Sequence, residues 1–448
     1  MEESTGYRFF KSYIRFLFEY WYFKKIEYID RQNIPAHSPL MVVSNHQNGV
    51  FDPLALLMAI RNRKARKIRC VVRGDVFNMS GLKRITRWTG LLPAYRIQYE
   101  GAASLAENSS TFEEIENELL KDGTIILFPE AGHQDIRWLG KFSLAYLRML
   151  FGAAERSGFE KEMYILPACN HYSDYYGARR QMLVRFGTPI PLSPYYQLYQ
   201  EKPWTAQRQV NQIVRQQIND IMLNITDTDH YRAIDHIRNT YGIGYAEAHH
   251  YRPGRLSEKL TADRQLTAQL AAAAETHPDA VKAIYEKANL LDEQYRQLHL
   301  RDEDGSSSAG KSIFTAAALA ALFLPYIIAL LINTLIFAFP PLINRKIKDR
   351  MLHGTIHFAA SALITLPFTC LLVFCLMYTL TGYWLIALAC LPFIPLTSIF
   401  AIAYCRAGQR LARQWRFRCL LKRRKRHETL NLRKQLFTDL DKLLNINR

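Results

Sequence analysis

From Leu40 the chain reads Leu40-Met41-Val42-Val43-Ser44-Asn45-His46-Gln47-Asn48-Gly49-Val50-Phe51-Asp52-Pro53-Leu54. A short apolar run of strand length (Leu40–Ser44) meets a polar turn containing Gly49. A helical pattern then runs from Leu54 to Arg61. The same alternation continues outward. Ile68–Val72, Leu91–Arg96, Thr124–Phe128, Met163–Ala168 and Met182–Phe186 read as strands. Leu82–Trp88, Ser104–Leu120 and Leu144–Arg156 between them read as helices. Strand alternating with helix predicts an α/β fold, a sheet flanked by helices, over residues 36–230.

The turn after the first strand carries chemistry. Histidine is the side chain suited to take a proton from an alcohol near neutral pH, and His46 stands in this turn. A carboxylate on its other ring nitrogen, here Asp52, would fix the tautomer and stabilise the imidazolium that forms. No Gly-x-Ser-x-Gly elbow occurs, so the base would act on a substrate hydroxyl rather than on an enzyme nucleophile. The run Phe128-Pro129-Glu130-Ala131-Gly132-His133-Gln134-Asp135-Ile136-Arg137 follows another strand. Ends of strands are where open α/β sheets bind ligands. Arg96 and Arg137 offer planar, permanently charged forks suited to phosphate. A structural His–Asp pair and solvated surface arginines are the plainer readings. His133, Asp135 and His171 match no metal-ligand spacing, so no metal site is expected.

The order of these blocks resembles a known family. Asn45-His46…Asp52-Pro53, Gly90…Arg96, Phe128-Pro129-Glu130 and Ile165-Leu166-Pro167-Ala168 follow one another as in the glycerolipid acyltransferases. The five residues between His46 and Asp52 are one more than the family's common pattern. That spacing, with Glu130, His133, Asp135 and Arg137, is similar to the branch of fungal glycerol-3-phosphate/dihydroxyacetone-phosphate acyltransferases and their bacterial homologues. The resemblance implies a glycerolipid-acyltransferase-like sheet. His46 would be the catalytic base and Asp52 its orienting partner. Arg96 would bind the acceptor's phosphate, with Arg137 adding a contact. Glu130 and Gly132 would shape the acceptor site, and Pro167 would belong to the block facing the acyl donor. No cofactor is implied, because acyl-CoA or acyl carrier protein is a co-substrate. The acceptor would be glycerol-3-phosphate, dihydroxyacetone phosphate or lysophosphatidic acid, in phospholipid biosynthesis. Ala131 departs from the family's usual glycine. It supports the alternative of a catalytically degenerate lipid-binding protein; an acyltransferase acting on a different lipid acceptor is the other alternative.

The rest of the 448 residues is of different character. Neither 314–343 nor 358–405 contains a charged residue, and about 20 apolar residues suffice to cross a bilayer as helix. Spans are expected at 356–380 and 383–404. A net charge of +18 is concentrated around them. Arg345, Lys346, Lys348 and Arg350 fill one loop, and twelve Lys and Arg lie between Arg406 and Lys434. Lys/Arg-rich flanks face the cytoplasm, which predicts a re-entrant hairpin over 314–343, with Pro325, Asn333, Pro340 and Pro341 available to break it. A single tilted span is the alternative. We therefore expect an integral membrane protein with a cytoplasmic catalytic domain, in a bacterial inner membrane. Residues 1–35 would be an amphipathic interfacial helix region, with Lys11 and Arg15 on one face and Phe10, Ile14, Leu17 and Phe18 on another. Cations recur through residues 1–30, so no secretory leader is expected. Residues 231–312 would be helical spacer and linker, and 406–448 a basic cytoplasmic tail. The tail's partner would be anionic lipid rather than nucleic acid. Seven cysteines, four in or beside the apolar runs, read as reduced thiols. A transporter is disfavoured, because the span region 358–405 carries no acid or base.

Overall fold

Every residue of the Leu40–Ser44 strand is buried, as expected where helices cover both faces of a parallel sheet. The structure, a computed structural model, describes residues 3–60, 68–74, 83–94, 103–130, 132, 135–302, 309–345, 347–420 and 423–446. They form two units, residues 1–224 with 349–355, and residues 225–348 with 356–448.

The first unit is built on an eight-stranded sheet. Its strands are β1 (Lys25–Ile29), β2 (Leu40–Ser44), β3 (Arg69–Arg73), β4 (Leu91–Ala94), β5 (Thr124–Leu127), β6 (Tyr164–Tyr172), β7 (Gln181–Phe186) and β8 (Ile190–Pro191). The order is β1-β7-β6-β2-β5-β3-β4, with β8 on β6. Only the β6–β7 and β6–β8 pairs are antiparallel. The flanking helices are α1 (Thr5–Phe16), α2 (Phe51–Ala59), α3 (Lys83–Trp88), α4 (Ala103–Leu120), α5 (Ala145–Arg156), α6 (Tyr196–Glu201) and α7 (Pro203–Ile221). Side chains alternate across a strand. Met41 and Val43, with Ile125, Leu127 and Ile165, therefore meet Ile115 and Leu119 of α4, Leu147 and Leu150 of α5, and Val210 and Val214 of α7 in one core.

Two sequence expectations change here. Lys25–Ile29 lies in the region assigned to an interfacial helix, yet it is a strand, paired in parallel with β7. Its charged Lys25 and Glu27 suit a sheet edge. The helix before it runs through Phe16 and continues as a π-helical stretch to Tyr22. Its Ile14, Leu17 and Phe18 face is buried within its own unit. The exposed apolar residues are instead Phe9 (78 % exposed), Phe16 (53 %) and Tyr20 (64 %). The start of α2 is also earlier than expected, at Phe51. Asp52 and Pro53 occupy its first turn, where a helix welcomes a carboxylate and needs no N–H.

In the second unit, α8 (Tyr231–Thr240), α9 (Gly242–Ala248), α10 (Leu256–Thr276) and α11 (Pro278–Gln297) are followed by the apolar helices α12 (Ala309–Ala321), α13 (Phe323–Ile332) and α14 (Thr334–Asn344). Two helices, α15 (Arg350–Thr381) and α16 (Trp384–Cys419), are long and apolar enough to cross a membrane. The α12–α13 pair bends by 57°. The 231–297 stretch is more than a spacer, since Tyr241, Tyr245, Leu266, Ala288 and Leu291 are fully or almost fully buried. Nor is the basic end a free tail. A last helix, α17 (Arg423–Leu443), buries Leu436 and Leu440. Asp439 pairs with Lys287 at 2.6 Å, and the Tyr241 hydroxyl donates to Asp441 at 2.7 Å. Charges such as Arg424 and Lys434 lie exposed on a helix whose inner face is apolar.

Candidate active site

β2 ends at Ser44, where its pairing with β6 reaches Ala168. β6 runs on for four more residues to Tyr172, held there by β7. This overhang makes a wall beside the turn after β2. Asn45 continues the join with its side chain. Its Oδ1 accepts from Asn170 N at 2.8 Å, and its Nδ2 donates to Asn170 O at 3.0 Å. The turn itself needs Gly49, at φ +46°, where a Cβ would lie 3.1 Å from Leu352. It returns the chain into α2 with Asp52 facing back at His46.

His46 Nδ1 lies 2.8 Å from Asp52 Oδ2. A carboxylate only accepts, so Nδ1 carries the proton and Nε2 presents its lone pair. Asp52 is fully buried. Its Oδ2 also accepts from the backbone N–H groups of Gln47 and Asn48, each at 2.7 Å. Its Oδ1 accepts from the Tyr172 hydroxyl at 2.6 Å. Four donors thus converge on the two oxygens of one carboxylate. The imidazole stacks on Phe128 from the end of β5, with centroids 4.5 Å apart, and keeps part of its surface exposed.

Glu130 is placed behind this pair. Its Oε1 accepts from His46 N at 2.9 Å and its Oε2 from Gly140 N at 2.7 Å. Burial raises its carboxyl above the ordinary range, against the opposing pull of those two N–H groups. The carboxylate thus ties the loop after β5 to the turn after β2. A Cβ on Gly140 would meet Oε2 at 2.7 Å. Gly132, in contrast, has open space around its Cα. Arg137 is 4 % exposed. It donates to Tyr172 O at 3.0 Å and lies over the Tyr175 ring at 5.0 Å. Pro167 is buried in β6 opposite Val43, and its carbonyl accepts from Gly187 N. Asp135 accepts from the Tyr176 hydroxyl. His171 is buried on β6. Arg96, Ala131 and His133 lie outside the described residues, as do Arg61, Arg63, Lys64, Arg66 and Lys67 of the basic cluster after α2.

The structure therefore brings His46, Asp52 and Glu130 into one bonded group, with Pro167 within β6 and Arg137, on the loop after β5, bonded to the end of that strand. Sequence reasoning missed Tyr172, Asn170, Gly140 and Arg180. The strand was expected to stop at Ala168 because Asn170 and His171 are polar. The signal available was period two, since Ala168, Asn170 and Tyr172 share one face.

No curated protein matches the chain. Among solved structures it is similar to the 1-acyl-sn-glycerophosphate (LPA) acyltransferase PlsC from Thermotoga maritima, at 13 % identity and a TM-score of 0.35, over 48 % of this chain and 78 % of that one. Residues 25–170, which hold His46, Asp52, Glu130, Arg137 and Pro167, match the family model described as Acyltransferase.

Proposed function

We propose that the chain is a membrane-bound O-acyltransferase. It moves a fatty acyl group from acyl-CoA or acyl carrier protein to a hydroxyl of glycerol-3-phosphate, dihydroxyacetone phosphate or lysophosphatidic acid, in phospholipid biosynthesis. The observation that carries this reading is the His46–Asp52 pair, 2.8 Å apart, with the carboxylate buried under four donors inside the segment that matches the acyltransferase family. His46 Nε2 takes the acceptor's hydroxyl proton as the oxygen attacks the thioester carbonyl. The C–S bond breaks, and the leaving thiolate recovers the proton from His46. The thioester is already activated, so neither a cofactor nor an enzyme acyl intermediate is needed. General-base help of this kind is worth about 10²–10⁴-fold. Arg96 is assigned the acceptor's phosphate and Arg137 a second contact to it. Gly132, with no side chain, leaves room for the acceptor beside Glu130. Pro167 belongs to the donor side. The five-residue His–Asp spacing supports a reading of the chain as similar to the fungal glycerol-3-phosphate/dihydroxyacetone-phosphate branch.

The same reading puts α15 and α16 across the membrane, the bent 309–344 segment in it as a re-entrant hairpin, and the catalytic unit on the cytoplasmic face of a bacterial inner membrane. Exposed arginines such as Arg424 would meet anionic lipid, at about 1 kcal/mol each.

The test is transfer of labelled palmitate from acyl-CoA and from acyl carrier protein to each acceptor, using full-length protein in detergent with added lipid, beside His46→Ala. Product on one acceptor that disappears in a folded His46→Ala variant supports the reading and names the step. Transfer retained in that variant refutes the base. No transfer to any acceptor from folded protein points to another lipid acceptor or to a binding protein.

A further inference from the structure

Behind Asp52 the structure holds a charge that the reaction scheme does not use. Arg180, just before β7, is 5 % exposed. Its guanidinium lies over the rings of Phe23, Phe51 and Tyr172 at 5.3, 5.2 and 5.2 Å. Nη1 donates to the carbonyls of Asp174 and Tyr175, while Nε and Nη2 are buried with no acceptor among the described residues. Among the described residues no carboxylate pairs with it. Such a cation is expensive to bury unless a nearby charge balances it. The buried anion reached through the Tyr172 ring is Asp52, 2.6 Å from the Tyr172 hydroxyl. Gly354 closes the box: a Cβ there would lie 3.1 Å from both Phe51 and the Tyr22 hydroxyl, and 3.7 Å from Arg180 Nη2.

We propose that Tyr172 and Arg180 are positioning residues for the catalytic pair. Tyr172 fixes the second oxygen of Asp52, and Arg180 supplies the positive charge that balances that carboxylate across the Tyr172 ring. This rests on the acyl-transfer reading of the site. Other titratable groups surround the pair. Glu130 faces it from the loop after β5, and Tyr175 from the loop before β7. Tyr22 comes from the N-terminal helix, with its hydroxyl on Gly354 O. Arg137 lies over Tyr175 and Arg350 over Tyr176. Burial and the charge of Asp52 hold the Tyr172 hydroxyl well above its ordinary range, while Arg180 opposes them. Tyr172 therefore stays a donor at any working pH.

The test measures His46 protonation without relying on turnover. The rate of His46 carbethoxylation, read peptide by peptide against pH in full-length protein, reports the fraction of neutral imidazole. Removing the Tyr172 hydroxyl (Tyr172→Phe) or the Arg180 charge (Arg180→Met) leaves the negative charge on Asp52 less compensated. The midpoint should then rise by about half a pH unit or more, roughly threefold in proton affinity. Arg180→Lys keeps the charge and should keep the midpoint near wild type. In the transfer assay, kcat of Tyr172→Phe should fall about ten- to hundredfold with the acyl-CoA KM little changed. If Arg180→Met does not fold, Tyr172→Phe decides alone. Unmoved midpoints in folded variants overturn the proposal. A raised midpoint with no transfer by wild type sustains it while removing the acyl-transfer reading.

Discussion

Asp52→Asn isolates the charge of the carboxylate from its shape. The side chain is fully buried, so no water replaces what is lost. An amide can still occupy the site. Its carbonyl can accept from His46, Gln47 and Asn48 in the place of Oδ2, and its NH₂ can donate to Tyr172, whose hydroxyl turns to accept. If the amide enters the other way round, its NH₂ faces Nδ1, the imidazole proton moves to Nε2, and the base is lost outright. In the first orientation the base survives but the imidazolium has no anion beside it. With the contact at 2.8 Å, the charge centres are about 4 Å apart, and at an effective dielectric of about 20 such a pair is worth about 4 kcal/mol. That is about three decades in rate. Labelled acyl transfer under saturating donor and acceptor should therefore show kcat lower by about 10³-fold, with Tm close to wild type because the turn keeps its hydrogen bonds. A folded Asp52→Asn variant within about tenfold of wild-type kcat would refute the reasoning, and so would a loss confined to KM.

Three other outcomes follow from particular contacts. Gly140→Ala places a methyl 2.7 Å from Glu130 Oε2, in a carboxylate whose two oxygens each already accept one N–H; thermal unfolding should show a loss of about 1–3 kcal/mol, and an unchanged Tm would mean the loop shifts freely. Burial raises the Glu130 carboxyl, so its contribution to stability is present below the ordinary glutamate value of about 4.3 and is lost as pH rises through the raised folded value; Glu130→Gln should remove that slope, compared as the difference in Tm between acidic and neutral buffer, and an identical slope in both proteins would contradict it. In the second unit Asn333 is buried, and its Nδ2 donates to Ala329 O and Thr397 Oγ1, each at 2.8 Å; Asn333→Leu should weaken that helix pairing by about 1 kcal/mol, seen as a lower detergent-denaturation midpoint, and an unmoved midpoint would show that packing alone holds it.

Much of this molecule is written locally. The Leu40–Ser44 run, the turn at Gly49 and the uncharged stretches 314–343 and 358–405 announce strand, turn and apolar helix, because period and run length act over a few residues. His46 and Asp52 were legible for the same reason, being six positions apart on one turn. What surrounds them was not. Tyr172 reaches Asp52 across 120 positions of sequence, and Glu130 reaches His46 N across 84. Arg180 enters its aromatic box only once β7 pairs with β6 and with β1. The parallel register of β2 with β6 decides that β6 overhangs by four residues and hands Asn170 and Tyr172 to the site. In the same way, the apolar side of α17 became visible only when Leu436 and Leu440 were found buried, since its twenty-one residues read as basic surface. Register and packing belong to distant pairs of segments, whose contacts exist only after loop closure has been met by the burial of a shared core. Residue types and local spacing fixed the chemistry available to this chain, and the tertiary structure alone chose the donors that hold one carboxylate in place.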